Sequence, residues 1–87
     1  MHYIAIATFS RDSKIVEEIL LRRRQYTYPT EFKNTQSYFD VQGGRAVIHF
    51  ETDKAEPILR YTMDWPELVF DIFPVVPTEK AWEASQP

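Results

Sequence analysis

Along this chain the spacing of apolar positions switches back and forth between two periods. His2 to Phe9 alternates in steps of two and predicts a first strand. Ile15, Val16, Ile19 and Leu20 then recur at helical spacing, behind Ser10 and Asp12 as candidate N-caps for a helix starting near Arg11. Arg22, Arg23 and Arg24 fall in its last turn, where cations complement the helix dipole. "QYTYPTEF" reads as a loop broken by Pro29. Thr35 to Val41 predicts a second strand, Gly43-Gly44 a hairpin tip, and "RAVIHFE" the returning strand. Asp53 with Glu56 resembles a capping box, opening a helix that runs through Ile58, Leu59 and Tyr61 and stops near Trp65, ahead of Pro66. Leu68 to Val76 predicts a fourth strand, and a tail of one or two helical turns follows Pro77.

The order β-α-β-β-α-β predicts an α+β, ferredoxin-like fold: a four-stranded antiparallel sheet with two helices on one face, a single domain over residues 1–87. With Gly43-Gly44 at the tip, the expected register sets Val41 opposite Ala46, Phe39 opposite Ile48 and Tyr38 opposite His49. One face then carries Phe39, Val41, Ile48, Phe50, Phe70 and Ile72, joined from the first strand by Ile4 and Ile6. This face is expected under the helices. The other carries Tyr3, Ala5, Ala7, Phe9, Tyr38, Val47, His49, Glu51, Asp71, Phe73 and Val75. A solvated sheet face is mostly polar, and this one is not, so it predicts an association site. A two-fold homodimer with sheets face to face is the economical solution; a monomer whose tail folds Trp82 over the face is the alternative.

Composition narrows the function classes. The chain has 87 residues and no cysteine, which excludes disulfides and thiolate metal sites and is compatible with a reducing, cytoplasmic location. A formal net charge of −3 argues against generic nucleic-acid binding. No apolar run approaches the ~20 residues of a membrane span, and the N-terminal segment reads as a strand rather than a signal peptide.

The candidate chemistry lies on the second face. His49, Asp71, Tyr38 and Glu51 would be the polar lining of a ligand hollow, with Tyr3, Ala5, Phe73 and Val75 as its walls. With the first strand between them, His49 and Asp71 would stand ~9–10 Å apart, a gap for a ligand or water to bridge. As a histidine titrates near neutrality, His49, with Asp71, is the candidate for proton transfer. Equally, His49 would serve as a hydrogen-bonding interface residue, and Glu51 would reach solvent or the next helix. His49, Glu51 and Asp71 are ligand types, but no metal motif is present, and no metal or other cofactor is expected. Nothing resembles a nucleophile elbow.

"HFETDKAEPILRYTMDWPELVFDIFPVV" resembles the second half of a small bacterial family of unknown function. The matching positions are Glu51, Thr52, Asp53, Trp65, Leu68, Pro74 and Val75. "MHYIAIATF" is similar in style, with Ala7 in place of a larger aromatic, whereas the stretch between Arg22 and Thr35 departs from the pattern. The resemblance implies the dimeric α+β barrel superfamily, whose members include cofactor-free monooxygenases, isomerases and binding proteins. Three functions follow as expectations: a dimeric binder of a small apolar or aromatic molecule, a cofactor-independent oxygenase or isomerase, or an interaction module that recruits a partner along the edge of its second strand.

Overall fold

A computed structural model describes residues 1–87. Four seven-residue strands, β1 (His2–Thr8), β2 (Lys33–Phe39), β3 (Arg45–Glu51) and β4 (Val69–Val75), form one antiparallel sheet in the order β2-β3-β1-β4. Helix α1 (Ser13–Gln25) links β1 to β2, α2 (Glu56–Met63) links β3 to β4, and α3 (Thr78–Ser85) follows β4. This is the ferredoxin-like arrangement expected from the sequence, with a third helix at its end.

Local chemistry accounts for most boundaries. Asp12 caps α1, its carboxylate accepting from the Lys14 and Ile15 amides at 3.0 and 3.3 Å. Pro57 sits in the first turn of α2, where its missing N–H costs nothing. The expected Asp53–Glu56 capping box does not form. Ala55 is the cap residue, in helical geometry and without a side-chain bond, and Thr52 turns the chain instead by bonding around Lys54. Pro74 is tolerated in β4 because that strand lies at the sheet edge.

The β2–β3 hairpin differs from the expected register by two residues. Phe39 pairs with Ala46, Tyr38 with Val47 and Gln36 with His49. The cause is a longer loop. Asp40 folds over it, accepting from the Gln42 amide at 2.9 Å and pairing with Arg45 at 3.0 Å, and Gly43 and Gly44 take φ of +76° and +81°. Val41 is thereby expelled from the strand and fully exposed. A shift of two keeps every side chain on its own face, so β2 and β3 still divide as expected.

The first strand does not. Tyr3 pairs with Phe50, Ala5 with Ile48 and Ala7 with Ala46, and across β4 Ala5 pairs with Ile72 and Ala7 with Phe70. Directly paired residues share a face, so Tyr3, Ala5 and Ala7 lie under the helices. Ala5 and Ala7 are 0% and 1% exposed. Ile4 and Ile6, expected in the core, lie on the open face. The reason is volume. The core is built from large aromatics: Phe50 stacks on Phe32 with centroids 4.0 Å apart, and Tyr61 stands edge-on to both. Small residues on the central strand leave room for them. Ile19 of α1 and Tyr61 of α2 close this core, and the loop after α1 contributes Tyr26, Tyr28 and Phe32.

The tail does not cover the open face. No residue of α3 is buried, and Trp82 is 64% exposed. The radius of gyration is 14.6 Å, against about 12 Å for a compact chain of this length. No helix is long and apolar enough to cross a membrane.

Candidate functional site

The alternation of four strands sets the open face. Ile4 and Ile6 of β1 lie at its centre, between Val47 and His49 of β3 and Asp71 and Phe73 of β4. Tyr38 and Gln36 extend it along β2, and Val69 and Val75 along β4. Neither main helix nor the tail packs here, and Tyr38, Val69 and Phe73 are exposed. A shallow depression of about 270 Å³ lies toward the hairpin, bordered by Ile6, Tyr38, Val47 and Arg45.

At the opposite end of this face four polar side chains form one connected group. His2 pairs directly with Glu51 across β1 and β3. Its Nδ1 lies 3.0 Å from Nε2 of His49, and its Nε2 lies 3.5 Å from Oε1 of Glu51. The two imidazoles are near parallel, with centroids 5.2 Å apart. Asn34 completes the group, its amide donating to Oε2 of Glu51 at 2.6 Å. Asn34 has φ of +53°, inside the irregularity between Lys33 and Gln36. Asparagine tolerates that left-handed geometry better than most residues, and the bulge re-aims its side chain toward β3.

The electrostatics of the group favour a charged Glu51. The hydrogen bond from Asn34, then the nearby His2 and His49 rings and the N-terminal amine, hold its carboxyl below the usual glutamate range against the opposing cost of desolvation. The two histidines share a hydrogen bond that needs one ring to donate and the other to accept. A proton taken up by one ring is therefore within reach of the other and of an anchored carboxylate. That is the arrangement a proton relay requires.

Of the residues expected at the site, the structure brings His49 and Glu51 into this group. Tyr38, Asp71 and Phe73 share the face but stand apart from it. Asp71 is exposed, with no hydrogen bond or ion pair, and it is one pairing step further along β1 than His49, opposite Ile6 rather than Ile4. Tyr38 donates to Gln36 at 3.2 Å, not to His49. Tyr3 and Ala5, expected as walls, lie on the covered side of the sheet. His2 and Asn34 were missed. His2 shares the parity of Ile4 and Ile6, so a correct phase for β1 would have found it. The positive φ of Asn34 leaves a weaker trace, an asparagine near the start of an edge strand.

The covered side holds a second hollow. A narrow cleft of about 40 Å³ lies between α1 and the sheet, with Leu20, Phe39 and Ile48 among its walls. Arg23 and Trp65 also line it, and Arg23 Nε and Trp65 Nε1 are buried without a hydrogen-bond partner. Trp65 lies close enough to the Tyr26 hydroxyl to favour that group's ionised form, yet makes no well-formed bond to it; the Tyr26 pKa is nonetheless raised, first by burial and then by its 2.8 Å hydrogen bond to Asp64.

A family model described as a domain of unknown function (DUF3303) matches residues 1–87. No curated protein and no solved structure gives a significant match.

Proposed function

The chain belongs to this family of domains of unknown function, DUF3303, and from its open sheet face we propose that it forms a homodimer holding a small apolar or aromatic molecule between its sheets and loops. Two copies would pack sheet to sheet as a dimeric α+β barrel. The observation that carries the reading is the composition of an uncovered face. An antiparallel sheet exposed on one side presents polar residues there. Here Ile4, Ile6, Val47, Phe73 and Val75 share the face with a hydrogen-bonded His2–His49–Glu51 group at one end. Apolar faces of this kind mark association, and a two-fold axis lets one patch serve both partners.

Size supports a contribution from outside the sheet. Four strands of seven residues cover roughly 24 by 19 Å, a flat footprint on the order of 450 Å². A standard interface buries about 800 Å² per partner. The projecting α3, with Trp82 exposed, is the natural source of the remainder. Asp71 is the group such a dimer must provide for, since a carboxylate closed between two sheets needs water, a ligand or a partner's donor.

The test is Ile6→Glu, which puts a charge at the centre of the face without touching the core. Sedimentation equilibrium at micromolar concentration is expected to give a dimer for the natural chain and a folded monomer for the variant. A variant that remains dimeric would place the interface elsewhere.

A second reading has its own support. The Glu51–His2–His49 chain of contacts suits proton transfer in a cofactor-independent oxygenase or isomerase, with His49 as the group facing substrate. It expects His49→Gln to keep the dimer and any retained molecule while abolishing turnover of that molecule. Loss of the dimer itself would assign His49 to structure. Edge recruitment along β2 is disfavoured, because exposed Lys33 and the bulge at Asn34 are features that block strand addition.

A further inference from the structure

We propose that the cleft between α1 and the covered side of the sheet is a binding site for a small monocarboxylic acid with a linear apolar body. The walls are apolar: Leu20, Phe39 and Ile48 face the space, and no acidic residue lines it. Set into those walls are two N–H groups that are buried and unpartnered, on Arg23 and Trp65. Trp65 is 4% exposed, so its indole has no recourse to solvent. Both groups are donors and neither can accept. The Tyr26 hydroxyl near the Trp65 indole is turned to Asp64 at 2.8 Å and makes no well-formed bond to the indole, so both N–H groups still call for an acceptor. One of the donors is a guanidinium. Arg22 is paired with Glu67, but Arg23 has no carboxylate partner; its guanidinium stacks over Tyr28 at 4.7 Å. That stacking uses the face of the group and leaves its edge available for an anion, the geometry in which arginine binds carboxylates.

The size of the cleft limits the ligand. About 40 Å³ accommodates a carboxylate head and little more. Among its lining residues Leu20 and Ser37 are exposed, so the proposal has an unbranched tail leave between them, beside Phe39. The site lies within one chain and is independent of the sheet-to-sheet dimer.

The experiment uses the full chain, ¹⁵N-labelled, in a Trp82→Phe background that leaves the Trp65 indole as the single such resonance. Hexanoate is the probe and hexanol its control, with the same tail and no carboxylate. Hexanoate is expected to shift the Trp65 Nε1–H signal saturably and to bind at least ten-fold more tightly than hexanol. Arg23→Gln is expected to weaken hexanoate at least ten-fold and to leave hexanol unchanged. The proposal is overturned if hexanoate causes no saturable shift, if acid and alcohol bind alike, or if a folded Arg23→Gln variant keeps full affinity. Should that variant fail to fold, the comparison of acid with alcohol on the natural side chain decides. The Ile6→Glu monomer is expected to bind hexanoate normally, which separates failure of this site from failure of the dimer.

Discussion

Replacing Ala5 with leucine asks directly which way the central strand faces. Ala5 is 0% exposed, paired with Ile48 on one side and Ile72 on the other, beneath a core of stacked aromatics. Three added carbons have nowhere to go, because the cleft on this side borders Ala7 and not Ala5. Overpacking of this kind costs about 1–3 kcal/mol. A chain of 87 residues is expected to have roughly 4–13 kcal/mol of total stability, so the loss is a substantial share. Urea unfolding followed by far-ultraviolet circular dichroism reads it. With a slope near 1 kcal/mol/M for a small chain, the midpoint falls by about 1–3 M. Both proteins must be compared at one concentration, since association adds to apparent stability. Ala7→Leu is expected to cost less than Ala5→Leu, because the adjoining cleft absorbs part of the added volume. The reasoning is refuted if Ala5→Leu is neutral or stabilising, the result expected of an alanine on the open face.

Two further perturbations test other parts of the structure. At the hairpin, Gly43→Ala carries only the left-handed backbone penalty of about 1–2 kcal/mol, since a Cβ there meets nothing within 4 Å. Gly44→Ala costs more, because its Cβ would lie 2.8 Å from the Arg11 side chain and 3.3 Å from the Phe9 carbonyl oxygen; Arg11→Ala is expected to relieve only part of that, and equal melting temperatures for the two glycine variants would contradict it. Asn34→Gly keeps the backbone geometry and removes the amide from Glu51, so the Glu51 pKa rises toward its ordinary value in a ¹³C carboxyl titration. Because the folded pKa is depressed, Glu51 adds stability that is present above its ordinary pKa of 4.5 and is lost as pH falls through the folded value. The variant loses the part of that acid sensitivity due to Asn34, while His2, His49 and the N-terminal amine keep the rest, and an unchanged titration would remove Asn34 from the group.

Much of the fold was legible because period and punctuation agreed. Asp12 before a helical stripe, two glycines between alternating runs and Pro66 after a helix each have one natural reading. The phase of β1 was not legible in the same way. Tyr3, Ala5, Ala7 and Phe9 are apolar, and so are Ile4 and Ile6, so alternation alone does not say which set faces inward. Volume decided it, through the size of Phe50, Tyr61 and Phe32, and those aromatics come from three separate segments. The hairpin register failed for a local reason: Asp40 bonds to the Gln42 amide and lengthens the loop. Both errors bear on the site. Correcting β1 removes Tyr3 and Ala5, brings in His2, and puts two isoleucines on the open face, which strengthens the case for association. His49 and Glu51 were found because β3 was phased correctly. Asn34 reaches them through a bulge that no periodicity reveals.

In the proposed assembly a second copy closes this open face around a small molecule. Native mass spectrometry of the protein purified from its own host tests both halves at once. An assembly of twice the 10.3 kDa chain mass is expected, carrying a small adduct that is lost on activation. A bare 10.3 kDa monomer at micromolar concentration would contradict it.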